Sequence, residues 1–434
     1  MIKCTAVFDI GKTNKKLLLF DEKFNIVHEI QSKFEEIKDE DGYSCEDLKA
    51  LTIWMKDSWA KLESNTQFDV KALNFATYGA SFVHLDSDFK PVTPLYNYLK
   101  PLPQVIETKF FVSYGDKMDF ATTTASPYLG MLNSGLQIYW LKYTKPNVFK
   151  NIKHSLHFPQ YCSFLFTNQL STEFTSIGCH TGLWDMSKND YHEFVYNEGF
   201  DTLFPKISKK HFNGTTSYRG QAIPVGTGLH DSSAALIPYL QKFSEPFVLL
   251  STGTWCIALN PFAKKLLAKS ELLNDCLNYM TFEGNQVKAS RLFLGNFHEI
   301  FTKLFASQFN KPLDYYKGIK FNPIVLETIK SSDVLLSDRF NPEPKVSDSI
   351  LKMYNSYEEA YHKLLDEMTD FQMDALRMAG ENFEHIKYVY VDGGFNKNNL
   401  FMTLLQQKLP EVKVQAFEIS QGTSLGAARV MSNV

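Results

Sequence analysis

The chain opens with apolar blocks split by short polar turns. Val7-Phe8 runs into Asp9-Ile10-Gly11-Lys12-Thr13-Asn14, and Leu17-Leu18-Leu19-Phe20 comes next. Short apolar runs bounded by polar residues read as strands, so this stretch predicts strand, tight turn and strand, with residues 27–30 as a third strand. The period then changes. Residues 46–62 carry apolar side chains at helical spacing and predict an amphipathic helix. Residues 73–77 predict a buried strand. Residues 82–85 predict a strand paired, through the turn Asp86-Ser87-Asp88, with the residues just beyond it. Residues 91–130 show no clear period, are rich in proline, threonine and aromatics, and are assigned loosely as a lid or substrate loop. Helices are expected over 136–143 and 161–170. Residues 226–231 read as a loop, with Asp231-Ser232-Ser233 capping the next helix.

The opening rhythm then repeats. Residues 247–250 predict a strand, Ser251-Thr252-Gly253-Thr254 a polar turn, and 255–259 a second strand. Residues 347–378 lack glycine and proline and predict one long helix or two end to end. A strand over 387–391 ends in Asp392-Gly393-Gly394, with Asn396 expected to cap the next helix. A last helix is expected after Gln421-Gly422-Thr423-Ser424. Two similar hairpins far apart suggest two similar α/β domains. A chain of 434 residues exceeds one ordinary core. The expected division is 1–243 and 244–434, with the boundary near 241–245.

Gly11-Lys12-Thr13 matches the end of a phosphate-binding P-loop. That motif needs a glycine where Ala6 stands and a helix directly afterwards. A strand comes instead, so the P-loop assignment fails and a phosphate site of another kind stays open. Backbone N–H groups of tight turns bind anions, and Ser or Thr hydroxyls add donors. Two such turns on opposed domains could hold the phosphates of one nucleotide from both sides. Asp9 could then hold Mg2+ through its water shell, and Lys12, Lys15 or Lys16 could offset charge on the transferred group. In isolation, Asp9-Ile10-Gly11 reads first as a plain β-turn. Gly393-Gly394 would let a flat ring or ribose approach the backbone. Asp231 is either an ordinary helix cap or a base that takes a proton from a hydroxyl. His230 is either a core histidine or a substrate contact.

The order of these motifs carries a resemblance. Asp9-x-Gly11 with a lysine at the hairpin exit comes first, then Gly228-Leu229-His230-Asp231 before a small-residue helix. Ser251-Thr252-Gly253-Thr254-Trp255, Asp392-Gly393-Gly394 and Ser424-Leu425-Gly426-Ala427-Ala428-Arg429 come after in that order. Across essentially the whole chain this resembles the FGGY family of carbohydrate kinases. The resemblance implies two actin-like (ribonuclease-H-like) domains with a cleft between them: a sugar-binding one over 1–243 and a nucleotide-binding one over 244–434. It implies ATP- and Mg2+-dependent phosphorylation of a sugar hydroxyl, with Asp231 as general base and Asp9 linked to the metal through water. Gly11, Lys12, Thr13, Asn14 and Lys16, with Gly253 and Thr254, would hold the phosphates, and Gly393, Gly394 and Asn398 would lie along the adenosine. Gly79, Ala80, Ser81, His230, Glu283 and Arg291 would face the sugar, although a buried ion pair between Glu283 and Arg291 is an equally good reading.

Thr77-Tyr78-Gly79, Phe82-Val83, Leu85-Asp86, Gly253-Thr254-Trp255 and Phe282-Glu283-Gly284 with Arg291 look most like the family's rhamnulokinases, which act on the ketose L-rhamnulose. Three departures put the sugar in question. Ser81 stands where an aspartate is usual, Tyr98-Leu99-Lys100-Pro101-Leu102 lacks expected charges, and Lys12 replaces a small hydroxyl residue. L-fuculose, L-ribulose and D-xylulose remain alternatives, as do a non-catalytic sugar or nucleotide sensor and an actin-like ATPase. Tyr96, Tyr98, Tyr128 and Trp140 look built to stack on a small ligand.

Bulk properties narrow the partners. A net charge of −3 argues against a nucleic-acid binder. The six cysteines form no C-x-x-C, so a cytoplasmic enzyme without a zinc or disulfide framework is expected. No run of about 18 apolar residues suggests a membrane span, and no signal peptide is apparent. Sugar and ATP are the expected partners, and a homodimer is left open.

Overall fold

The computed structural model describes residues 1–329, 334–336 and 351–433. The chain divides into two compact units. The first holds Met1–Phe243, Asn278–Gln286 and Ser420–Val434; the second holds Ser244–Leu277 and Val287–Ile419.

The first unit is built on a seven-stranded sheet. Its strands are β1 (Ile2–Ile10), β2 (Lys15–Asp21), β3 (Ile26–Ser32), β4 (Phe68–Thr77), β5 (Phe212–Tyr218), β6 (Gln221–Gly226) and β7 (Leu229–His230). The order is β5-β6-β4-β1-β2-β3, with β7 also on β4. β1 and β2 pair antiparallel, and β1 and β4 run parallel. Ala6, Val7, Phe8 and Ile10 are fully buried, as are Leu17, Leu18 and Leu19. A continuous apolar run is what a strand covered on both faces requires. Helix α1 (Leu48–Ser64) covers one face through Leu51, Met55, Trp59 and Leu62, and Asp47 caps it by accepting from the Ala50 N–H at 2.9 Å.

A second sheet, of six strands, repeats the plan. Strands β8 (Phe247–Thr252), β9 (Cys256–Asn260), β10 (Cys276–Met280), β11 (Gln286–Leu292), β12 (Tyr388–Gly393) and β13 (Lys413–Ala416) lie in the order β10-β11-β9-β8-β12-β13 among the described residues. β8 pairs antiparallel with β9 and parallel with β12, as β1 does with β2 and β4. In both sheets the first strand lies between its hairpin partner and a parallel strand, and a polar turn leaves its carboxyl end. Both hairpins expected from the hydrophobic pattern are present.

Several expectations need correction. Residues 91–130 are not a loose lid: helices α2 (Gln104–Tyr114) and α3 (Lys117–Thr124) form there. Phe110 lies 5.0–5.2 Å from the rings of Phe111, Tyr114, Phe120, Tyr139 and Phe194. One face of α2 packs on these rings while Val105 and Val112 on the other are exposed, so apolar residues occur on both faces and the amphipathic period is blurred. Tyr96 and Trp140 pack on each other in this unit's core, 5.0 Å apart, and Tyr128 packs on Phe111. Tyr96 and Trp140 are core residues and Tyr128 is partly buried against the same cluster, so the three do not form an open ligand platform. Residues 82–85 pair with His154–His157; the turn at Asp86 forms, but only a single bridge to Pro91 lies beyond it, since proline has no N–H to extend a ladder. The loop at 226–231 contains the short strand β7.

The helix expected over 136–143 is α4 (Ser134–Thr144). The one expected over 161–170 is α5 (Phe158–Thr167), which stops at Asn168, whose left-handed backbone (φ 53°) ends it. Of the one long helix or two expected over 347–378, α8 (Tyr357–Ala379) forms, capped by the Ser356 hydroxyl on the Glu359 N–H at 3.1 Å, whereas residues 352–353 are turn and 355–356 bend. Residues 347–350 lie outside the described residues. Asn398, not Asn396, caps helix α9 (Asn399–Lys408).

Candidate active site

Parallel pairing sets the first unit's site. β1, β4 and β7 end together: Asp9 faces Ala76, Ile10 faces Thr77, and Thr77 faces His230 on its other side. Open α/β sheets place ligands at the carboxyl ends of their strands. Asp9, the 77–81 segment and His230-Asp231 therefore share one edge. Helix α6 (Asp231–Lys242) starts there, with Asp231 as its first residue and His230 in the cap position. Asp231 is thus in the first turn rather than the cap itself, where a carboxylate is favoured by the helix dipole.

The hydrogen bonds to the Asp231 carboxylate fall on Oδ1. The Ser232 N–H donates at 2.6 Å, the Ser232 hydroxyl at 3.2 Å, and His230 Nε2 lies 3.1 Å away. Oδ2 is left open. Burial works against the charge, but His230 and the Ser232 donors outweigh it and hold the carboxyl below its ordinary value. A carboxyl held below that value is ionised at neutral pH.

Asp9 differs. Its Oδ2 accepts from the Ser424 hydroxyl on helix α10 (Gly422–Val430), in the C-terminal segment that returns to this unit. Burial, with the nearby Asp231 adding to it, pushes its carboxyl up to about 6 against the Ser424 hydrogen bond and Lys16. Gly11 N–H closes the turn on Asn14 C=O at 2.9 Å, so Lys12 and Thr13 are at its apex. The three lysines part company. Lys15 is 1% exposed and bonded to Glu46 at 2.9 Å, which makes it a structural ion pair rather than a phosphate ligand. Lys12 pairs with Glu36, and Lys16 lies 3.3 Å from both Glu29 and Gln421.

On the expected sugar side, Gly79 has no room for a side chain: a Cβ would lie 2.2 Å from Cys179 Sγ and 2.9 Å from His230 Cδ2. Ala80 (φ 58°) and His180 (φ 37°) hold left-handed backbones beside this contact, and such strain concentrates at functional sites. The Ser81 hydroxyl is buried without a hydrogen-bond partner. Lys100 bonds Asp39 at 2.6 Å and Asp41 at 2.7 Å beneath the Trp140 ring, so its charge is spent internally. Tyr98 is half-buried, 6.0 Å from Tyr78, with Lys12 over both rings. Glu283 lines a separate cavity of about 220 Å³ with His211, Phe282 and Leu236. Arg291 forms a two-pronged pair with Asp275 at 3.1 and 2.7 Å.

In the second unit a cleft of about 780 Å³ is lined by Gly253, Thr254, Gly394 and Asn398, four of the residues expected there on the nucleotide. The remaining one, Gly393, supports the cleft from behind with φ +87°; a Cβ there would lie 1.8 Å from the Thr252 carbonyl oxygen. The Gly253 N–H closes its turn on Trp255 C=O at 2.9 Å. Sequence reasoning missed the aromatic wall. His298, on helix α7 (Leu294–Gln308), places Nε2 2.9 Å from Tyr361 OH. That hydroxyl also accepts from Asn398 Nδ2 at 2.7 Å, and Tyr316 meets His298 edge-on at 4.7 Å. Burial pushes His298 down to about 4, which keeps it neutral. Ser424, Cys179 and His180 were likewise missed as site neighbours. Ser424 alone carried a signal, as the first residue of the small-residue run at the last helix.

The N-terminal domain of the FGGY carbohydrate kinases matches residues 4–238, more than half of the chain. The chain belongs to the FGGY family of carbohydrate kinases. Among its relatives, a rhamnulokinase of Halalkalibacterium halodurans is 23% identical over 57% of this chain and 52% of that protein. An L-fuculokinase of Haemophilus influenzae is 21% identical over 58% and 56%. The chain spans about half the length of these curated relatives. A carbohydrate kinase from Novosphingobium aromaticivorans superposes with a TM-score of 0.82 at 23% identity, covering 100% of this chain and 92% of that one. A xylulose kinase from Lactobacillus acidophilus gives 0.76 at 15%, covering 99% and 89%. The fold is therefore that of the FGGY kinases, with two actin-like α/β domains. No helix among the described residues is long and apolar enough to cross a membrane.

Proposed function

We propose that this FGGY member is an ATP-dependent kinase that phosphorylates a ketose hydroxyl, with L-rhamnulose, giving L-rhamnulose 1-phosphate, as the first substrate to test. Relatives named rhamnulokinase and L-fuculokinase support this substrate class. The observation that carries the proposal is the Asp231 carboxylate, held ionised through Oδ1 with Oδ2 free. Such an oxygen can take the proton of an attacking hydroxyl as its oxygen closes on phosphorus. The 253–255 turn would offer backbone donors to the nucleotide's phosphates, and the cleft beside His298 and Tyr316 would take its base.

Among the described residues no group of three or more His, Cys, Asp or Glu could cage a metal directly. A single buried carboxylate with a raised pKa suits a hydrated Mg2+ that arrives with phosphates, the usual manner for this ion. Asp9 would hold it, and its charge would offset that developing on the phosphoryl oxygens.

Asp231→Asn keeps the shape and removes the base. It is expected to lower kcat by about 10² to 10⁴ while ATP affinity, read by calorimetry, stays unchanged. A coupled ADP-release screen with L-rhamnulose, L-fuculose, L-ribulose and D-xylulose ranks substrates by kcat/KM. ATP binding with no turnover of any sugar would favour a sensor instead.

A further inference from the structure

Cys179 belongs to no motif and has no part in the chemistry above, yet its sulfur reaches the base's partner. Cys179 Sγ lies 3.0 Å from His230 Nε2, and Asp231 Oδ1 lies 3.1 Å from the same nitrogen. His230 is 4% exposed, and its Nδ1 is buried without a partner. Nε2 faces a carboxylate and so must carry the proton. A thiol hydrogen then has no acceptor on that nitrogen, and sulfur can meet it only as a second acceptor. Two acceptors share one N–H, an arrangement best satisfied when the sulfur is a thiolate and the ring an imidazolium. Gly79 makes the approach possible, because any side chain there would occupy the sulfur's place.

Building on the kinase proposal, we infer that Cys179 is a positioning residue whose thiolate keeps the buried His230 ring charged and aimed at Asp231 Oδ1, leaving Oδ2 as the reactive oxygen. The groups around it agree in direction. Burial opposes a thiolate, but His180 and His230 overcome it and bring Cys179 down to about 6. Burial opposes an imidazolium, but Cys179 and Asp231 hold His230 well above its ordinary value. Tyr98 faces both anions, and its hydroxyl is raised by burial and then by them. Asp9 adds negative charge toward Asp231. The Tyr279 ring lies over His230 at 5.5 Å and meets His180 at 5.9 Å. Without the sulfur's charge, a buried imidazolium beside a single carboxylate should lose its proton.

The test does not depend on turnover. Thiolate absorbance in the near ultraviolet is followed against pH in the intact protein, in Cys179→Ala and in Cys179→Ser. The wild type should lose one thiolate on acidification with a midpoint of about 6, and both variants should lack that step. Nitrogen NMR of isotope-labelled histidines, with His230 assigned from His230→Gln, should show a doubly protonated ring in the wild type at a pH about one unit above that midpoint. The ring should carry one proton in both variants. On the best sugar, the variants should lose about tenfold in kcat because the carboxylate is no longer held in aim through Oδ1, with KM for ATP unchanged. A Cys179 that shows no thiolate below its ordinary range, or a His230 that stays doubly protonated without it, would overturn the inference. Failure of every sugar to react would sink the kinase proposal and leave these spectra to be judged separately.

Discussion

Gly295→Ala probes the nucleotide turn from behind. Gly295 is the second residue of helix α7. A Cβ there would lie 1.9 Å from the Gly253 carbonyl oxygen and 2.8 Å from both Gly253 C and Thr254 Cα. All three obstacles are backbone, so no rotamer change can relieve the clash. Helix and turn must part by about 1 Å, and overpacking of this kind costs about 1–3 kcal/mol. Helix propensity alone would favour alanine over glycine by about 1 kcal/mol. The sign of the stability change therefore separates the two effects: a net loss of up to about 2 kcal/mol if the close approach is real, a gain if it is not.

The functional cost should be larger. The displaced atoms belong to the turn proposed to hold phosphates, and a shift of about 1 Å in a positioned group can cost about 10² in rate. In Gly295→Ala the ATP dissociation constant, measured by calorimetry, and kcat/KM for ATP should both worsen, while sugar KM stays within about twofold. Trp255 is on the same turn and is half-exposed, so its fluorescence reports the displacement directly. Gly318→Ala is the control in the same unit, since nothing lies within 4 Å of its would-be Cβ. If Gly295→Ala binds ATP as the wild type does and is as stable or more so, the turn is not braced by this helix and the nucleotide role of residues 253–255 loses its support.

Two further outcomes concern the first unit. Asp9 has a folded pKa raised from 3.8 to about 6, so its penalty is absent below the lower value, grows between the two and is full above the higher. Asp9→Asn keeps an acceptor for Ser424 and should stabilise the unliganded unit by about 3 kcal/mol at about pH 8 but only about half that at about pH 5. Urea unfolding followed by fluorescence in a Trp255→Phe background checks this, because the other four tryptophans (Trp54, Trp59, Trp140 and Trp184) lie in the first unit; a pH-independent difference would refute it. Glu46→Ala strands the buried Lys15 charge and the Tyr78 hydroxyl, which lies 3.3 Å from Glu46. It should cost about 3–5 kcal/mol, much of it regained in Lys15→Met/Glu46→Leu. A loss under about 1 kcal/mol in the single variant would show that Lys15 escapes to solvent.

Local chemistry made the two hairpins legible. Apolar runs and polar turns decide a strand-turn-strand segment within a short stretch, and β1-β2 and β8-β9 formed where expected. The partners that give the site its electrostatics are remote instead. Asp9 meets Ser424, Lys15 meets Glu46, and Asp231 reaches Cys179 only through His230. No spacing rule links such pairs, and a lysine drawn inward by a distant glutamate looks in sequence like a lysine offered to phosphate. Helix α2 is hidden for a different reason: Val105 and Val112 lie exposed, so apolar residues on its solvent face blur the period that marks a surface helix. Topology accounts for the difference. Once β1, β4 and β7 run parallel in this register, Asp9, the 77–81 segment and His230-Asp231 must emerge at one edge. The place of the site is dictated by strand order, whereas the protonation of its groups depends on side chains that the sheet alone does not specify. Variants of Cys179 and Ser424 should therefore change the chemistry of this edge without changing the fold that presents it.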